Sequence, residues 1–396
     1  MIGFFTIIYL FLINIYFYRR KLSFLHPAFL TSIIWLVLVS LYETIKHGLY
    51  PLIDNTYLAI CIWVSVFCFF SYNVSYLKIS IPSILKYRTI NPFWTRKSMM
   101  ILYIVCMVIL VYSQYKIGAS FDAGNSIAGM RSALQNYDEN LPLYFRLLNR
   151  VEVLIYVVFW GIISSKSKNN NKLLTFLLGL LIIVFTLLLA TKGKIIEFFL
   201  TYFLLQYKFK KINVKYIILG FGILIFLLAV VILNRDDSDF GIIDLGIIYL
   251  FSPLTALSEA LSYQNFIPSY DLRYSLGTLS TIIAYFDPSY LKSAGNAIDG
   301  WINVPFPTNV YTIIYNFYRD FGWFGIIIMG TILGIFWGII YNFVRHNIKS
   351  FTLCYAILYY MLIFQFFGDW LFSLFSLNMQ IIFYSIFIFL RFKIKG

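Results

Sequence analysis

Charge is scarce in this chain. Asp, Glu, Lys and Arg make up 12% of its 396 residues, against 61% hydrophobic ones. A soluble domain carries about one quarter charged and about one half apolar residues, so this composition excludes one and points to an all-α protein that crosses a membrane many times. Acidic residues are the scarcer sign, 17 against 31 Lys and Arg, for a formal net charge of +14. Such a surplus suits nucleic acid where the basic residues share a polar face. Here they cluster in short loops between apolar runs, where they report membrane orientation, and no nucleic-acid partner is expected. Cysteine is limited to Cys61, Cys68, Cys106 and Cys354, all inside apolar runs with no histidine or carboxylate beside Cys61 and Cys68. They read as small core residues, and no metal or other cofactor is expected.

Long apolar runs are what the chain has in abundance. A span of about 20 residues crosses the hydrocarbon, and runs of that kind lie near 2–18, 24–43, 56–75, 98–115, 151–165, 173–190, 195–207, 216–233, 323–344, 351–368 and 379–390. These give about eleven transmembrane helices in a single integral membrane domain, 1–396. The first run has its positive charges after it and no small-residue cleavage site, so it is expected to stay as a span. Alternation then gathers Arg19, Arg20 and Lys21, the basic residues of 78–97, 166–172 and 208–215, Arg345 and Lys349, and Arg391, Lys393 and Lys395 on one side. That side holds twenty of the Lys and Arg residues and no acidic residue. By the positive-inside rule it is cytoplasmic, which places the N-terminus outside and the C-terminus inside.

Four outward segments are candidates for function. The loop 44–55 carries Lys46, His47 and Asp54; a single exposed histidine there reads as a solvated loop residue. The outer loop 116–150 contains Arg131 and then Asn140-Leu141-Pro142, a helix start that puts Arg146 and Arg150 four residues apart on one face. These two read first as arginines snorkelling at the membrane surface, and Arg131 is the better candidate for an anion contact. In the third segment, Lys192-Gly193-Lys194 turns into a run, 195–207, that is short for a crossing. The turn is therefore expected below the outer surface. There Lys192 and Lys194 either hold a diphosphate or form an internal ion pair with Glu197.

The fourth and largest is the outer loop 234–322, where Arg235, Asp236, Asp237, Asp239, Asp244, Glu259, Asp271, Arg273, Asp287, Lys292, Asp299, Arg319 and Asp320 gather. Ser252-Pro253 reads as a cap and first-turn proline of a helix reaching about Ser262, with Leu254, Leu257 and Leu261 on one face. Acidic Asp236, Asp237 and Asp239 read as a polar helix exit rather than a cation site. Pro305 and Pro307 close the loop just before Asn309-Val310-Tyr311-Thr312 and Tyr318-Arg319-Asp320-Phe321-Gly322.

That closing pattern, with Gly325 and a span containing Gly330, Gly334 and Gly338, resembles the oligosaccharide repeat-unit polymerases of the O-antigen type over nearly the whole chain. The resemblance implies a multi-pass enzyme of the bacterial cytoplasmic (inner) membrane that builds capsule, lipopolysaccharide or another surface polysaccharide. It transfers a growing glycan from polyprenyl diphosphate to a lipid-linked repeat unit at the outer face, in a bundle similar to the C-type glycosyltransferases. The implied partners are the polyprenyl-diphosphate-linked oligosaccharide, membrane lipid and a chain-length regulator protein. Some members carry an arginine and a glycine with ten residues between them in two outer loops. Arg235 and Gly246 match that spacing and Arg131 does not. Others carry arginine where this chain has Lys192 and Lys194.

Such a transfer needs cations for the charge growing on diphosphate and a base for the attacking hydroxyl. Arg235, Arg273 and Arg319 are expected as the catalytic cations, with Asp299 as the catalytic carboxylate. Arg131, Lys192, Lys194, Asp287 and Asn309 are expected to bind substrate. Asp320, in the first turn of the span it opens, is expected to serve the helix dipole, and adjacent positions about 100° apart on a helix need not pair with each other. Arg319 is disfavoured by that dipole and is expected to seek the lipid diphosphate. Two rival readings are a ligase that moves a finished glycan and a flippase for the same lipid-linked oligosaccharide. The ligase type carries histidine in its large outer loop, and 234–322 has none. Transporters often show internal repeats, and none is visible here.

Overall fold

The computed structural model describes residues 2–80, 82, 85, 89–121, 143–165, 172–188, 192–209, 242–262 and 302–391. These form helices α1 Ile2–Arg19, α2 Pro27–Thr44, α3 Asp54–Ser75, α4 Lys97–Phe121, α5 Leu143–Ser164, α6 Lys172–Leu188 and α7 Lys192–Phe209. They continue as α8 Ile242–Ser262, α9 Ile313–Arg345, α10 Lys349–Ile363, α11 Trp370–Ser373 and α12 Phe375–Phe387. Two-residue strands, β1 Ile302–Asn303 and β2 Pro307–Thr308, pair antiparallel. Among the described residues, six helices are long and apolar enough to cross a membrane: α1, α2, α3, Lys97–Ala119 of α4, α9 and Lys349–Phe366. The chain is thus an all-α membrane protein. Helices also cover 151–164, 173–188, 195–207 and 379–387 within the expected runs, while 216–233 lies outside the described residues.

Two compact units emerge. The first comprises Met1–Ile79, Asp239–Phe343 and Met361–Asn378. Its core is aromatic, built on Trp35, Trp63, Phe67, Phe251 and Phe317. Within it, the small-residue stripe of α9 lies directly on α3. A β-carbon on Gly334 would stand 2.8 Å from the Phe67 carbonyl oxygen, and one on Gly338 would stand 2.9 Å from Val74 Cβ. Between apolar helices in lipid, close backbone approach is a main source of attraction, so these glycines supply contact that larger side chains would prevent. One turn further along α9, Asn342 donates from Nδ2 to the carbonyls of Val74 at 3.1 Å and Leu77 at 2.8 Å. It thereby satisfies carbonyls at the open end of α3.

The second unit comprises Ser80–Ser238, Val344–Tyr360 and Met379–Gly396. Trp160, Met107, Leu110 and Ile155 are among its fully buried side chains. Gly161 admits Ile388, Ile90 and Leu353 around it, the nearest standing 2.6 Å from where its β-carbon would lie. Asn91 ties the 3₁₀ turn Pro92–Thr95 to the chain end, donating from its backbone to Ile388 at 2.9 Å and from Nδ2 to Leu390 at 2.9 Å.

Three sequence expectations are corrected. The helix around Pro253 begins at Ile242, so Ser252 is no cap and Pro253 lies inside the helix. Apolar burial holds it there: Leu254 and Leu257 are fully buried and Leu261 nearly so. α7 begins at Lys192, so the basic residues form its first turn and the helix has 18 residues, about 27 Å at 1.5 Å per residue. α9 begins at Ile313, ten residues before the expected span, and is broken at Gly322, whose φ of 63° and ψ of −150° only glycine adopts readily.

Candidate functional site

The break at Gly322 decides what surrounds Arg319 and Asp320. Both fall in the last turn of the helical piece Ile313–Phe321, not in the first turn of the following one. A cation is favoured at that end by the helix dipole, so the expected polarity is inverted. Their side chains also meet: Arg319 donates from Nε to Asp320 Oδ1 at 2.9 Å. Asp320 is completely buried, and Arg319 keeps 9% of its surface exposed. The two residues, which as neighbours need not have paired, do pair. Burial of a carboxylate requires a charged or hydrogen-bonding partner, and the neighbouring guanidinium is that partner. The guanidinium carbon also lies 5.7 Å from the ring centroid of Tyr315, which stacks on Tyr311 at 3.9 Å.

A third charged residue joins this cluster in the same unit. Gly368, at φ 151°, turns the chain after the 3₁₀ turn Phe364–Phe366, and a β-carbon there would lie 3.9 Å from the carbonyl oxygen of Tyr311. Asp369 follows, 3% exposed. Its Oδ1 accepts the backbone N–H groups of Leu371 at 3.1 Å and Phe372 at 3.2 Å and caps α11. Its Oδ2 is buried without a hydrogen-bond partner. Asp369 lies beyond the end of the Lys349–Phe366 span. Burial pushes its carboxyl up to about 7; the two N–H donors oppose the rise and the Asp320 charge adds to it.

Sequence reasoning missed Asp369. The signal was present, because Asp369 is the sole acidic residue after Asp320 and interrupts an apolar stretch at Gly368-Asp369-Trp370.

Beside this cluster, Gln365 is buried and uses all its hydrogen-bonding capacity. Its Oε1 accepts the indole N–H of Trp35 at 3.1 Å and of Trp63 at 2.9 Å. Its Nε2 donates to Thr31 Oγ1 at 3.0 Å and to the Leu362 carbonyl at 2.7 Å. A cavity of about 20 Å³ adjoins it, lined by Trp63, Phe67, Trp337 and Trp370 among others. That is room for one water.

In the second unit another of the expected cations is paired internally. Lys194 Nζ lies 3.1 Å from Glu197 Oε2, and Glu197 is 1% exposed. The ammonium also lies 5.7 Å from the Tyr156 ring centroid. The ion pair that is one reading of this turn is thus formed by Lys194. Spacing explains it, since residues three apart share a helix face and α7 starts early enough to include both. Lys192 occupies the first position of α7, and its side chain lies outside the described residues.

Arg131, Arg235, Arg273, Asp287 and Asp299 lie outside the described residues, as does the Arg146 side chain. Asn309 is exposed, just after β2, and Arg150 is exposed on α5. His47 is half-buried against Tyr42, with ring centroids 4.2 Å apart, and accepts the Leu49 N–H at 3.1 Å. It fastens its loop. Cys61 and Cys68 each find a local acceptor, Thr6 and the Ala28 carbonyl. Among the described residues no three His, Cys, Asp or Glu side chains group as metal ligands. No protein-family profile, curated protein or solved structure matches the chain.

Proposed function

We propose that this chain is a polysaccharide polymerase of the bacterial cytoplasmic membrane. It passes a growing glycan from polyprenyl diphosphate to a lipid-linked repeat unit at the outer face. The reading includes eleven spans in a C-type bundle, the N-terminus outside and the C-terminus in the cytoplasm. The observation that carries it is the buried cluster of Arg319, Asp320 and Asp369, set where the polar segment 234–322 returns to apolar helix. Charge buried in an apolar bundle is costly and usually functional, and glycan transfer from a diphosphate needs a cation and a base, which a carboxylate can supply. Arg235, Arg273 and Asp299 complete the proposed catalytic set, with Arg131, Lys192, Asp287 and Asn309 as substrate contacts. Lys194, neutralised by Glu197, serves to hold α7 rather than to bind a second anion.

The test is purified protein in liposomes with polyprenyl-diphosphate-linked oligosaccharide taken from the cells that express it. A ladder of longer lipid-linked glycans is expected, and its absence would sink the reading. Orientation is checked separately by cysteine labelling from outside intact cells: a cysteine at Ser238 labels and one at Ser167 does not. A flippase is the second reading, favoured by the Lys194–Glu197 pair inside an apolar helix. Translocation of the same lipid across the liposome bilayer with no lengthening would establish it instead.

A further inference from the structure

Asp369 caps α11 through one carboxylate oxygen alone. Both N–H bonds fall on Oδ1, so the carboxyl plane is fixed while Oδ2 remains a buried acceptor with nothing to accept. An unmade hydrogen bond of this kind is expensive and unusual in a folded protein. The surroundings do not relieve it: Asp320 adds negative charge nearby, and the Arg319 Nε–H is bonded to Asp320 Oδ1. A group that donates a proton or a hydrogen bond would remove the penalty. Sugar hydroxyls are such donors, and Tyr311, stacked on Tyr315, lies with its carbonyl oxygen close to Gly368.

We infer that Asp369, in place of Asp299, is the general base of the transfer, its Oδ2 receiving the proton of the attacking sugar hydroxyl. This rests on the polymerase reading. The acceptor oxygen bonds to the anomeric carbon of the donor glycan as the bond from that carbon to the diphosphate oxygen breaks. The electron pair leaves with polyprenyl diphosphate, and the hydroxyl proton ends on Asp369. Asp320 keeps its ion pair throughout and acts as a positioning residue, raising the proton affinity of its neighbour. A carboxyl titrating near the working pH is suited to this role.

Asp369→Asn tests the assignment, because an amide oxygen can still cap Leu371 and Phe372 but cannot take the proton. The substrate is the purified polyprenyl-diphosphate-linked oligosaccharide in liposomes, with retention of radiolabelled lipid and thermal unfolding measured alongside. The variant is expected to lose on the order of 10²–10⁴-fold in lengthening rate while binding the lipid and unfolding as the wild type does. The wild-type rate should rise with pH through about 7 as Asp369 gives up its proton, and the residual rate of the variant should be flat there. An Asn variant within threefold of wild type, or one sharing its pH profile, overturns the role of Asp369 alone. So does a variant that loses lipid binding and thermal stability together with rate, which would make Asp369 structural. A wild type that makes no polymer overturns the polymerase reading and this inference with it.

Discussion

Gln365 Oε1 accepts the indole N–H of Trp63 at 2.9 Å, and this bond ties together positions 302 apart in the chain. The same oxygen accepts the Trp35 N–H, and the amide nitrogen donates to Thr31 Oγ1. One side chain thus satisfies polar atoms of α2 and α3 deep in an apolar core. Gln365→Leu fills similar space but leaves two indole donors unsatisfied. It should cost several kcal/mol, at about 1–3 kcal/mol for each stranded group, read as earlier thermal unfolding in detergent. An unchanged midpoint would mean that water in the adjoining cavity takes over the bonds.

The Arg319–Asp320 pair should behave as a unit. Arg319→Met leaves the Asp320 carboxylate buried without its guanidinium, and breaking a buried pair typically costs about 3–5 kcal/mol. Adding Asp320→Leu removes the stranded charge, so the double variant should be more stable than Arg319→Met. Denaturant unfolding of the four proteins supplies the cycle, and additive losses would show that the two residues are independent.

The glycine contacts on α9 should rank by distance. Gly330→Ala meets Val66 at 3.3 Å and should be tolerated, whereas Gly334→Ala meets the backbone oxygen of Phe67 at 2.8 Å, which cannot step aside. Membrane yield and thermal stability should fall for the second and change little for the first. Equal behaviour would show that α9 and α3 separate easily.

Gly322→Ala forces a β-carbon into a backbone conformation at φ 63° that L-residues avoid, at about 1–3 kcal/mol. The expected result is reduced stability, with loss of glycan lengthening if the bend positions Arg319. A wild-type melting curve would mean that α9 straightens without penalty.

Asp369 should also leave a signature in stability. Its carboxyl is pushed up to about 7 in the fold and returns to about 4 in the unfolded chain. Between those values the folded state binds more protons, so its stability should fall as pH rises from about 4 to about 7 and level off above. Asp369→Asn does not titrate and should lack that slope. Parallel curves for the two proteins would place Asp369 in contact with water.

Composition and periodicity alone determined that this chain lives in a membrane, because apolar runs of bilayer length are a local property. The six described membrane-length helices coincide with expected runs. Sequence also marked the ion pair on α7 as one of two outcomes, since Lys194 and Glu197 are three residues apart. Arg319 and Asp320 were legible as important but not in their arrangement. A ten-residue difference in where α9 starts, together with the turn at Gly322, moved them from the beginning of one helix to the end of another. The environment of Asp369 was decided by tertiary structure alone: its proximity to Asp320, 49 positions away, depends on how α9 and the segment after α10 fold back on one another. Local pattern records which residues are apolar and how they repeat along a helix. The loss of water from a particular carboxylate, and the charge that replaces it, depend on residues distant in the chain.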